Sequence, residues 1–200
     1  MKRLSAIAVA LLFVGFAAVW HAQDASGQDN GGWITLLNVK NLDNWTRTGD
    51  ANWRVEDGVL VADKSTVISY LVTKETWTNF QIKAEIWVDA DANSGIFIRA
   101  TDPAKISSKS GYEVNIFDKR PDPSYGTGAI VDVAKAATVL KAADKWNTLD
   151  IEAAAQRFTV VLNGTKTVDG AFDGKFPSGH VALQYGKGVV KFRKVELKKL

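Results

Sequence analysis

Apolar residues recur at every second position over short stretches separated by turn residues, and this pattern begins at Trp33 and runs to the end of the 200-residue chain. It predicts strands over residues 33–37, 53–55, 59–62, 70–73, 80–88, 94–100, 112–117, 129–133, 146–153, 158–162, 181–185 and 189–197. Asp57-Gly58 and Asn163-Gly164 sit between alternating segments and read as hairpin turns, and Gly186-Lys187-Gly188 marks a further turn. The one helical candidate, 134–145, is rich in alanine and lysine but has no apolar face wide enough to pack, so it reads as a loop with at most one turn. A succession of short strands without βαβ alternation predicts an all-β antiparallel β-sandwich or jelly roll.

Residues 94–118 depart from a purely structural strand pattern. If Ile96 and Ile98 are buried, alternation turns Phe97 and Arg99 outward, and in the next strand Glu113, Asn115 and Phe117 oppose Tyr112, Val114 and Ile116. A wall carrying guanidinium, carboxylate, amide and aromatic groups suits a sugar, whose hydroxyls need paired donors and acceptors and whose C–H face packs on rings. Trp87, within Glu85-Ile86-Trp87-Val88-Asp89, falls on the polar-bearing face of its strand and is a candidate stacking platform. Trp33, Trp53 and Trp146 stand at strand starts and are expected in core or rim packing.

The amino terminus adds a destination. Met1-Lys2-Arg3 precedes an apolar run from Leu4 to Trp20, the order of a secretory signal, with Ala22 and Ala25 as candidate final residues. The expected organisation is a signal peptide over 1–25, a flexible segment over 26–32 and one domain over 33–200. Export to the periplasm or the extracellular space follows, with no membrane span after leader cleavage. An uncleaved amino-terminal anchor is the rival reading of the same run.

Composition removes several chemistries. No cysteine is present, which excludes disulfides and thiol catalysis, and the two histidines, His21 and His180, give poor support for a histidine metal cluster or a serine–histidine triad. A divalent cation is compatible with the carboxylates, but the chain has no strong ligand motif. The formal charge of +3 falls to +1 without Lys2 and Arg3, and the basic residues are dispersed, so nucleic acid is not an expected partner. Oligomeric state is left open.

Carboxylate chemistry survives this elimination. Glu85 and Asp89 lie about 13 Å apart along one strand, too far for a glycosidase pair. If the strands holding Glu85, Arg99 and Glu113 are consecutive neighbours, the two glutamates stand about 10 Å apart with Arg99 between them, although a solvated cross-strand ladder has the same pattern.

The sequence resembles the 3-keto-disaccharide hydrolase domain family, which has a concanavalin A-like fold. The resemblance spans Trp33 to Leu200 and is carried by Trp53-Arg54-Val55-Glu56-Asp57-Gly58-Val59-Leu60, Asn93-Ser94-Gly95-Ile96-Phe97-Ile98-Arg99 and Gly111-Tyr112-Glu113-Val114-Asn115-Ile116. Thr127-Gly128-Ala129-Ile130, Trp146-Asn147, Leu162-Asn163-Gly164, Leu183-Gln184 and Val190-Lys191-Phe192-Arg193 add to it. It implies a jelly roll acting on an oligosaccharide or glycoside substrate whose ring carries a ketone at C3. Within that chemistry, position suggests Glu113 as base, Arg99 as oxyanion partner, and Glu85, Trp87, Asn115 and Gln184 as the substrate-binding wall. A noncatalytic carbohydrate-binding module and an envelope interaction domain are the alternatives. Where relatives often read Gln-x-His-Gly, this chain reads Gln184-Tyr185-Gly186.

Overall fold

The computed structural model describes residues 31–200, so the expected leader, its cleavage site and most of the segment linking it to the domain lie outside the described residues. Thirteen strands follow in chain order. They are β1 (Trp33–Thr35), β2 (Trp45–Thr48), β3 (Arg54–Glu56), β4 (Val59–Ala62), β5 (Ser69–Trp77), β6 (Phe80–Val88) and β7 (Asn93–Ala100). The chain continues with β8 (Tyr112–Ile116), β9 (Trp146–Ala154), β10 (Arg157–Leu162), β11 (Thr165–Phe172), β12 (Gly179–Lys187) and β13 (Val190–Lys199). A single 3₁₀ turn, Pro123–Tyr125, is the only helical element among the described residues.

Two antiparallel sheets face each other. The larger has eight strands in the order β11-β10-β9-β6-β13-β4-β3, with β1 also paired to β13, and the smaller has five in the order β2-β5-β12-β7-β8. Alternation builds the layer between them: Ile82, Ala84 and Ile86 of β6, Leu149 and Ile151 of β9, and Phe192, Val195 and Leu197 of β13 meet Ile96, Val114 and Leu183 of the smaller sheet. The expected all-β sandwich is what the chain forms. Both predicted hairpin turns are present, with Asp57 and Gly58 at φ 49° and 75° and Asn163 and Gly164 at φ 51° and 78°, the doubly left-handed backbone that joins twisted strands tightly.

Two strands and one non-strand escaped the pattern. β2 and β11 are edge strands with interrupted apolar alternation, and β11 is further broken by register shifts against β10. Residues 129–133, expected as a strand, make only isolated bridges through Ile130, because left-handed backbone at Gly128 and Asp132 interrupts the ladder. That segment still closes the free edge of β8, since Asn115 N donates to Ala129 O and Val131 N to Glu113 O, each at 2.9 Å. The 134–145 stretch is a loop, as expected, and its backbone N–H groups at Ala142 and Ala143 donate to the Asp118 carboxylate.

Arg99 does not point where strict alternation puts it. Between the pairs His180↔Ala100 and Ala182↔Phe97, β7 holds one residue more than β12, and Arg99 takes up the excess at φ 51°. The bulge turns its side chain inward, so that only 1% of the residue is exposed. There Nε donates to Thr78 O at 2.8 Å and Nη1 to Ala155 O at 2.7 Å and Phe176 O at 3.4 Å, with the guanidinium 5.2 Å from the Phe158 ring centroid. One cation thus gathers three turns at one end of the sandwich. Arg99→Met would leave three backbone acceptors unpaired near the core, and we expect a loss of about 3–5 kcal/mol in denaturant unfolding at neutral pH. A loss below about 1 kcal/mol would show that water replaces the guanidinium without strain.

Candidate functional site

The outward face of the smaller sheet carries two transverse rows set by register. Tyr70, Gln184, Gly95 and Asn115 are successive Cα partners across β5, β12, β7 and β8, and Val72, Ala182, Phe97 and Glu113 form the next row. The second row is largely covered. The loop between β7 and β8 folds back so that Ile106 packs with Tyr70, Val72, Phe97, Ala100 and Ala182, and Tyr70 Oη donates to Ile106 O at 3.3 Å. Glu113, at the end of that row, is only half-buried.

Gly95 provides the space beside it. A Cβ at that position would lie 3.2 Å from both Cγ and Oε1 of Glu113, so the carboxylate extends over bare backbone. Burial pushes the Glu113 pKa up to about 7; nearby Arg120 opposes the shift, Asp132 adds to it, and the Gln184 amide opposes it. Arg120 is anchored through its backbone, whose N–H donates to Phe117 O, while its guanidinium makes no ion pair or hydrogen bond among the described residues. Asp132 is fixed from the other side, accepting a hydrogen bond from Ser108 Oγ at 2.9 Å.

Among the described residues, two amide oxygens in the first row lack partners. Gln184 is 5% exposed, its Nε2 lies 3.5 Å from Tyr70 Oη, and its Oε1 accepts nothing. Asn115 donates from Nδ2 to Tyr125 O at 2.7 Å, but its Oδ1 is likewise unpaired. Buried acceptors without donors cost stability unless a ligand hydroxyl or water meets them. The row therefore sets two acceptors, both closed to solvent, beside a carboxylate able to exchange a proton near neutral pH.

Of the residues expected in one wall, Glu113, Asn115 and Gln184 are together. Glu85, Trp87 and Arg99 are not with them. The chain crosses between sheets after β6, placing Glu85 and Trp87 on the outer face of the larger sheet, where Glu85 pairs with Arg193 Nε and Lys191 Nζ lies 4.5 Å from the Trp87 ring centroid. The carboxylate–guanidinium–carboxylate row is accordingly corrected: its three members occupy the outside of one sheet, the interior, and the outside of the other. Arg120 is the cation that sequence reasoning missed. It sits in the loop after β8, and no strand periodicity reports where a loop side chain returns.

Among the described residues no group of three or more His, Asp or Glu side chains is placed to hold a metal ion. His180 is half-buried at the start of β12, its Nδ1 2.7 Å from Thr73 O.

The 3-keto-alpha-glucoside-1,2-lyase-like domain description matches residues 32–198. The chain belongs to that family. Among solved structures, a candidate glycosyl hydrolase from Parabacteroides distasonis is 22% identical with a TM-score of 0.72, over 84% of this chain and 94% of that one. A second from the same organism is 26% identical with a TM-score of 0.67, over 84% and 99%. The carbohydrate-binding module CBM66 from Bacillus subtilis shares the sandwich at 18% identity and a TM-score of 0.58, over 84% and 96%. A comparison with curated proteins returned no match. Family membership makes the domain carbohydrate-related.

The raised Glu113 pKa has a stability consequence with a definite sign. Between about pH 4.5 and 7 the folded state retains a proton that the unfolded chain has released, so stability falls as pH rises through this window. Above it, the buried charge costs up to about 3 kcal/mol. Glu113→Gln should therefore be more stable than wild type at pH 8 and lose that advantage near pH 4. Parallel melting curves at the two pH values test this, and a pH-independent difference would mean the carboxylate is not desolvated.

Proposed function

We propose that the domain is an exported enzyme that eliminates the C1 substituent from 3-keto-glucosides, with Glu113 as the base. The ketone at C3 acidifies the C2 proton, and Glu113, titrating near neutrality, accepts it. The electron pair moves into a C2–C3 enolate, whose oxygen is stabilised by the nearby Arg120 guanidinium and the Gln184 amide N–H. Collapse of the enolate restores the C3 ketone, forms the C1–C2 double bond and expels the C1 oxygen, which takes a proton from solvent. Addition of water across the new double bond would complete net hydrolysis.

The observation that carries this reading is the desolvated Glu113 carboxylate lying over Gly95, beside a Gln184 oxygen that lacks a donor. The family description, which names a 1,2-lyase-like domain on 3-keto-α-glucosides, supports the reaction class. The basic leader and apolar run at the amino terminus support export.

Incubation with an aryl 3-keto-glucoside should release the phenol above the buffer rate. The value of kcat/KM should fall about tenfold per pH unit below about 7, as the base becomes protonated. Glu113→Gln should lose at least about 10²-fold in kcat and still bind substrate; Arg120→Met should lose on the order of 10²-fold, chiefly in kcat. Binding without release, across several added divalent cations, would reduce the domain to a carbohydrate-binding module. Full activity in Glu113→Gln would remove that residue from the role of base.

A further inference from the structure

The outward face of the larger sheet has a chemistry that the Glu113 site does not use. Lys83 Nζ lies 4.6 Å from the Trp33 ring centroid, Lys191 Nζ 4.5 Å from that of Trp87, and the Arg193 guanidinium 4.3 Å from that of Trp146. Trp87 and Trp146 are direct Cα partners across β6 and β9. A second bulge contributes, because the β13–β6 register shifts between Phe192 and Lys194, and the Arg193 side chain reaches both Glu85 and the Trp146 ring.

At the other end of β6 the same face opens into a groove of about 230 Å³. Trp33 forms one wall, with Gln81, Lys83, Asp150, Glu152 and Thr159 among the other lining residues. Gln81 Nε2 donates to Glu152 Oε2 at 2.7 Å, whereas the Asp150 carboxylate accepts no hydrogen bond among the described residues and its pKa is raised by burial against the opposing pull of Lys83. From the Gln81 row to the Trp87 row is about 20 Å at about 3.4 Å per residue.

We propose that this face is a second, noncatalytic carbohydrate-binding surface, for a neutral polysaccharide chain lying along β6 with one sugar in the groove against Trp33. The ligand class follows from the lining. An indole wall meets the C–H face of a pyranose, and Asp150, Glu152, Gln81, Lys83 and Thr159 together offer acceptors and donors for hydroxyls. Lys83, Lys191 and Arg193 at the rings are matched by Asp150, Glu152 and Glu85, so the face carries no field of one sign that would favour a charged glycan over a neutral one. A lipid or an apolar helix would need a field of exposed aliphatics; Val67, Ile68, Val139 and Leu200 belong to loops and the chain end, Ile34 of β1 alternates to the side opposite Trp33, and Phe172 of β11 adds one more ring beside a cation, Arg157. The cations over the rings are held weakly at an exposed site, so a sugar can displace them. Because the two sheets lie back to back, this surface and the Glu113 site open in opposite directions and can be occupied together.

Native gels containing mixed-linkage β-glucan, soluble starch or galactomannan, with alginate as a polyanion, test the proposal on the full chain. Retardation is expected in at least one neutral gel. Trp33→Ala and the double variant Trp87→Ala/Trp146→Ala should each weaken it at least fivefold, and Asp150→Asn should weaken it without removing a ring. Glu113→Gln should bind the polysaccharide as wild type does, and Trp33→Ala should turn over a small aryl 3-keto-glucoside as wild type does. Melting curves establish that each variant is folded, and Asp150→Asn decides the matter if a tryptophan variant is not. The proposal is overturned by retardation in no neutral gel, by retardation in alginate alone, or by binding that Glu113→Gln abolishes and the Trp33 and Asp150 variants retain. Loss of turnover in wild type would sink the enzymatic reading and leave these outcomes interpretable.

Discussion

A buried guanidinium, paired with backbone carbonyls and with no carboxylate among the described residues, holds one end of this sandwich together. Arg99 is satisfied by backbone carbonyls from the β5–β6 turn, the β9–β10 turn and the segment before β12, so it ties turns from both sheets to β7. The residue is placed there by a bulge, and the same bulge sets the register in which Gln184 faces Gly95 and Ala182 faces Phe97. Fold closure and alignment of the candidate site therefore share one local backbone irregularity. Burying the cation is tolerable because carbonyl dipoles replace its water, which also occupies the very donors that an enolate would need.

The Glu113 site shows the opposite compromise. Its carboxylate is partly removed from water, the residue beneath it is glycine, and two neighbouring amide oxygens have no partner among the described residues. Each feature works against stability, through a desolvated charge, a strand residue with no side chain to pack, and unpaired acceptors. A structural strand would fill these positions with β-branched residues. Their concentration within two rows of a single face is the pattern expected of a ligand site rather than of a structural strand.

The two outer faces differ in kind. On the smaller sheet the rings of Tyr70 and Phe97 pack edge to face at 5.5 Å and are covered by Ile106, and Glu113 stands half-buried at the end of that row. On the larger sheet the indoles of Trp33, Trp87 and Trp146 each stand beside a cation. The first arrangement isolates one carboxylate from water; the second spreads weak contacts over several strands. A small reacting ring suits the former and an extended chain suits the latter.

Sequence alone determined the fold class, both tight hairpins and most strand positions, because those follow from period-2 alternation and from residues that accept left-handed backbone, both of which are local. It also singled out Glu113, Asn115 and Gln184, whose outward positions follow from the same alternation. The edge strands β2 and β11 were illegible, since an edge with little to bury carries little apolar pattern. Tertiary structure decided the rest. A short link after β6 serves equally for a hairpin or for a crossing between sheets, and only the crossing separates Glu85 and Trp87 from Glu113. One extra residue in β7, unmarked by composition, turned Arg99 from the expected wall into the interior. Arg120 came near Glu113 through a loop whose path no periodicity encodes. Charge proximity is a property of three-dimensional packing, and that is why the fold could be read from the chain while the cation at its candidate site could not.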